Sequence, residues 1–128
     1  MLKSVFFILV VGCISLFLLA SCGTTSQGSN PSGNEVHMND TKFVQTSITV
    51  KKGESITLIA DTLTPHIIAN GTWENGTARA AREPGAPEVK SVQVNGNSST
   101  TTSPFNTAGT FNLYCTIHAG MNLTVIVQ

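Results

Sequence analysis

From Glu35 to the C-terminus, apolar residues recur at every second position in short runs, and this period constrains the chain more than any other feature. Ile48 and Val50 flank Thr49, Ile56 and Leu58 flank Thr57, and Val92 and Val94 flank Gln93. Phe111, Leu113 and Cys115 alternate with Asn112 and Tyr114, and Met121, Leu123, Val125 and Val127 close the sequence with the same period. Successive side chains of a strand face opposite sides, so each apolar set marks a core-facing side. Lys52-Gly53 reads as a turn between the first two runs. No segment here carries a sustained helical period, and repeated short strands between turn signals predict an all-β sandwich or barrel. Roughly 95 residues suffice for one small core of that kind. Residues 72–90 break the rhythm with Trp73, Arg79, Arg82, Pro84 and Pro87. They are expected to form a long surface excursion, with a helical turn near residues 78–81.

The first 34 residues have a different character. Lys3 precedes an almost wholly apolar stretch over residues 4–20, a length at the lower edge of a membrane span. Leu19-Ala20-Ser21-Cys22 places small residues before a cysteine, as a cleavable export signal does. The same four residues resemble the bacterial lipoprotein signal, which implies cleavage before Cys22 and lipid attachment to its sulfur. Residues 1–21 are therefore expected to be a signal peptide, residues 22–34 a flexible Gly/Ser/Thr/Asn tether, and residues 35–128 the domain. That arrangement places the domain on the extracytoplasmic face of a bacterial membrane, held by a lipid anchor. Two acyl chains are enough for stable anchoring.

Of the three cysteines, Cys13 leaves with the signal and Cys22 takes lipid. Only Cys115 remains, with no cysteine left for an internal disulfide, so its thiol calls for another explanation. Setting Lys3 aside leaves six Lys and Arg against seven Asp and Glu, and no basic stripe suggests nucleic acid.

Cys115-Thr116-Ile117-His118-Ala119-Gly120-Met121 supplies the explanation. By parity Cys115 and Met121 both face inward at the ends of adjoining strands, and the loop between them carries His118. A thiolate, a thioether and an imidazole meeting at one end of a sandwich select copper. His66, after Pro65 at the end of a neighbouring strand, can supply the second imidazole. Two His and one Cys with a weak axial Met form the blue-copper arrangement. Its four protein donors leave no open position for a substrate, which argues for a carrier and against an enzyme. Pro65, Ile117, Ala119 and Gly120 are expected to form a small apolar patch around the edge of His118, the natural electron port. The remaining histidine, His37, reads as an ordinary surface or edge residue.

These residues resemble the cupredoxins, the type 1 blue-copper proteins of the plastocyanin, amicyanin and auracyanin kind. The resemblance runs from about Val36 to Gln128 and rests on Ile48-Thr49-Val50-Lys51-Lys52-Gly53-Glu54, Pro65-His66, Ala108-Gly109-Thr110-Phe111 and Tyr114 through Met121. The two-residue gaps of the ligand loop look most like amicyanin. The resemblance implies a Greek-key sandwich of about eight strands and a monomer that shuttles one electron between protein partners, cycling one copper ion between Cu(II) and Cu(I). The chain departs from the family pattern at Ile67, where many members carry an Asn that braces the ligand loop, and at Ile117, where many carry Pro. Unlike proline, Ile117 keeps an N–H, which is expected to contact the Cys115 sulfur. The competing reading is a copper delivery, storage or assembly protein, though such proteins often bind Cu(I) through Met and His without a thiolate.

Overall fold

The computed structural model describes residues 33–128, and among them every regular element is a strand. The nine strands are β1 (Glu35–Met38), β2 (Ser47–Val50), β3 (Thr57–Ala60), β4 (His66–Glu74), β5 (Thr77–Ala80), β6 (Val92–Val94), β7 (Ser99–Thr101), β8 (Gly109–Cys115) and β9 (Asn122–Val127). They form two sheets. One has the order β1-β3-β7; the other runs β2-β9-β8-β4-β5, with β6 pairing β4. The expected sandwich is present with nine strands, and its sheets do not close into a barrel. The expected signal peptide and nearly all of the tether lie outside the described residues. Asn34 is tied to the domain: its side chain donates to Glu54 Oε2 at 3.1 Å and its carbonyl accepts from the Thr57 amide.

The period-two pattern places the core. Val36, Met38, Leu58 and Ala60 from the small sheet meet Val50, Ile68, Val94, Phe111, Leu113, Leu123, Val125 and Val127 from the large one, with Ile56 and Phe105 filling between. The register Leu113↔Leu123 and Phe111↔Val125 across β8 and β9 stacks these residues on one face. Cys115 and Met121 continue the two inward rows to the end of the sheet, where the connecting loop begins.

Residues 72–90 differ from expectation. β4 continues through Trp73 to Glu74, turns at Asn75-Gly76 and returns as β5, pairing Thr72↔Arg79 and Glu74↔Thr77. Residues 78–80 lie in β5, and residues 78–81 form no helical turn. Asn75 and Gly76 both have positive φ, 49° and 77°, as a two-residue hairpin turn of the I′ type requires, and Asn-Gly is a strong local hairpin signal. The nearby prolines belong to the segment after β5, where the Glu83 carboxylate accepts from both the backbone and the side chain of Asn112.

Candidate metal centre

Three elements bring the candidate donors together. β4 opens on His66, which pairs with Val94 on β6 and is fully buried. Pro65 before it disfavours helical backbone at Thr64 and leads the chain into the strand. β8 ends on Cys115, also fully buried, opposite Ile68 of β4. The loop to β9 then carries His118, and Met121, 2% exposed, re-enters the core.

Within this end of the sandwich the Cys115 sulfur lies 3.8 Å from His66 Nδ1 and 3.3 Å from His118 Nδ1. One donor atom from each of the three residues lies within 4.8 Å of the others, the grouping of this kind found among the described residues. The two rings meet edge to face at a centroid distance of 4.9 Å. A metal bound at about 2.3 Å to sulfur and about 2.0 Å to nitrogen would hold S and N about 3.5–3.8 Å apart at trigonal to tetrahedral angles. The spacing here is close to that, and the side chains present fit such an ion.

The electrostatics favour a neutral, donating His66. Burial holds its imidazole below the ordinary value, and His118 beside it adds to the effect. The Asn39 backbone acts in the opposite sense, but among the described residues Nε2 has no partner at full hydrogen-bond geometry. A neutral ring is the form that binds metal. Asp40 is a neighbour that sequence reasoning missed. The hydroxyls of Thr62 and Thr64 hold its carboxyl below the usual range, with the two histidines contributing, and Thr64 donates to it at 2.9 Å. No local sequence signal ties Asp40 to this site.

The loop is short and self-braced. The Cys115 amide donates to the Met121 carbonyl at 3.0 Å, and the Met121 amide to that of His118 at 3.2 Å. Ile67 cannot brace through its side chain as Asn would, but its carbonyl accepts the Thr116 amide at 2.8 Å. The expected contact from the Ile117 N–H to the sulfur is not found: among the described residues, the polar contacts of Sγ are with the two histidines. Ile117 is 50% exposed, and Pro65, Ala119 and Gly120 are exposed around partly buried His118. Leu63, two positions before Pro65, is 83% exposed. His37 stands apart, its Nδ1 2.9 Å from Asp61.

A buried thiol between two imidazoles, with a buried methionine closing the loop, is the donor chemistry of a type 1 copper protein, and one such copper ion is the cofactor this centre fits. The chain belongs to the plastocyanin/azurin family of copper-binding proteins, whose sequence profile matches residues 32–128. Amicyanin from Paracoccus versutus (Thiobacillus versutus) is similar in structure, with a TM-score of 0.57 and 21% identity over 77% of this chain and 83% of that one. The reduced Cu(I) form of an amicyanin mutant at pH 4 gives 0.57 and 22% over 76% and 83%. A third amicyanin structure, a reduced mutant, gives 0.56 and 23% over 76% and 84%. No curated protein sequence gives a significant match.

Proposed function

We propose that this protein is a one-electron carrier in which His66, Cys115, His118 and Met121 hold the copper. The observation that supports it best is the burial of the Cys115 thiol between two histidine Nδ1 atoms at 3.8 and 3.3 Å. Copper, when bound, supplies the redox couple, Cu(II)/Cu(I). The protein supplies a rigid cage. Cys115 and Met121 are fixed by core packing and His66 by strand pairing, so the donors need move little when the charge changes. Four protein donors leave no position for a substrate, in keeping with a carrier and not an enzyme. His118, only partly buried, is the port through which an electron enters or leaves. Pro65, Ile117 and Ala119 around it offer a small apolar contact, the kind of interface that weak redox encounters use.

The partners are extracytoplasmic redox proteins, one donating and one accepting, and the carrier works as a monomer. Leu19-Ala20-Ser21-Cys22 supports lipid attachment at Cys22, with residues 1–21 removed and residues 22–34 tethering the domain to the membrane.

Adding Cu(II) to the metal-free protein and to Cys115→Ser tests the reading. The parent is expected to turn intensely blue or green and to cycle reversibly by one electron. The variant should fold but lack the thiolate-to-copper absorption. A parent that binds Cu(I) without colour would instead mark a delivery or storage protein, and strong absorption retained in Cys115→Ser would remove Cys115 from the ligand set.

A further inference from the structure

The ligand loop is bounded by Cys115, the last residue of β8, and Asn122, the first of β9. Both bounding residues bond to the same residue of a third strand, Trp73, the only tryptophan of the chain. Its indole Nε1–H donates to the Cys115 carbonyl at 2.8 Å. Its backbone N–H donates to Asn122 Oδ1 at 2.7 Å, and Asn122 Nδ2 donates back to the Trp73 carbonyl at 3.0 Å. These three bonds span 42 and 49 residues of sequence. They lie away from the core, since Asn122 alternates with buried Met121 and Leu123.

The sequence is built to bring Trp73 there. Gly71, with φ 134°, passes so close to the Arg79 carbonyl and the Tyr114 ring that a Cβ would collide with both. The chain past Gly71 then lies over Tyr114, and the indole meets that ring edge to face at 6.2 Å and 80°. The Asn75-Gly76 turn and β5 close the hairpin, with an ion pair between Glu74 and Arg79 at 2.7 Å. Nothing in the proposed donor set requires this hairpin, yet its root grips both feet of the loop.

We infer that Trp73 and Asn122 form a brace that holds the ligand loop in its metal-binding shape before copper arrives. Trp73 is thus a positioning residue that acts through Cys115 and Asn122. It supplies from the outer face of the sheet the bracing that Ile67 cannot supply beside His66. A loop fixed in advance loses less freedom when it binds, and a fixed Cys115 carbonyl sets where the sulfur sits. The inference builds on the copper reading, but the three bonds of the brace involve none of the proposed donor atoms.

The test uses the full chain with Trp73→Phe, Asn122→Ala and Asn122→Asp. Amide hydrogen exchange of the metal-free proteins is compared at residues 116–122 and, as a control, in β1 and β3. Losing one or two net hydrogen bonds should speed exchange in the loop about five-fold or more, with β1 and β3 unchanged. The Asp variant, which keeps an acceptor for the Trp73 N–H, should fall between Ala and the parent. In the copper-loaded proteins the visible thiolate band should shift in Trp73→Phe and Asn122→Ala. Parental values in either readout, or exchange raised equally in β1 and β3, would overturn the inference. If Trp73→Phe does not fold, the two Asn122 variants decide. A parent that takes up no copper and shows no band refutes the copper reading, while the metal-free exchange still tests the brace.

Discussion

Ile117→Lys places a charge beside His118 without touching a donor, and the structure sets how much it should matter. Full burial of an isoleucine side chain contributes about 1.5–3 kcal/mol. Ile117 is 50% exposed, so covering its free half on contact contributes about 1 kcal/mol. When two copies of this protein exchange an electron edge to edge, both lose that term, about 2 kcal/mol together, or roughly thirty-fold in the encounter complex. Repulsion between the two new lysines adds about 0.5 kcal/mol through water at low salt and is screened at high salt. Electron self-exchange, measured by NMR line broadening in mixtures of oxidised and reduced protein, should therefore slow by about 30- to 70-fold, with only about two-fold of this restored by salt. Ile126→Lys is the control: its side chain is 37% exposed on β9, five residues beyond Met121, or about 16 Å along an extended strand. It should leave the rate unchanged, and neither variant should alter the visible spectrum. A rate for Ile117→Lys within two-fold of the parent's would show that electrons do not pass at the His118 rim.

Three further outcomes are expected. Cys22→Ser should free the protein from the membrane or leave its signal uncleaved; a processed variant that stays membrane-bound through a salt wash would refute lipid attachment at Cys22. The metal-free protein should lose stability as pH falls. The folded state keeps His66 neutral at a lowered pKa while the unfolded chain protonates near pH 6.5. That stability is present in full above about 6.5 and declines below it by up to about 1.4 kcal/mol per pH unit until the folded pKa is reached. Denaturant midpoints of the metal-free protein at pH 7.5, 6 and 5 measure it, and Cys115→Ser should show the same decline, whereas a flat profile would contradict a buried neutral His66. Gly71→Ala should cost about 2–4 kcal/mol, from a strained φ and collision with the Arg79 carbonyl and Tyr114; a thermal midpoint within two degrees of the parent's would show that the hairpin gives way instead.

What the sequence alone determined here is local or chemical. Strand parity follows from a two-residue period, so it was legible for Phe111, Leu113 and Cys115, and for Met121, Leu123, Val125 and Val127, and every one of these side chains is buried as that period requires. Copper was legible because a thiol, two imidazoles and a thioether select it by softness, whatever surrounds them. The β4–β5 hairpin is also written locally, in Asn75-Gly76. What only the tertiary structure decided depends on which distant strands lie side by side. Asp40 meets the turn before His66 through the Thr64 hydroxyl, 24 residues away in sequence, the Leu63 backbone packs on Gly96, and Trp73 grips Cys115 and Asn122 across 42 and 49 residues. The Ile117 amide illustrates the same limit from the other side. A two-residue spacing made its contact with sulfur look natural, but the direction of an N–H in a tight loop is set by the bonds at the loop's two feet, and those come from other strands.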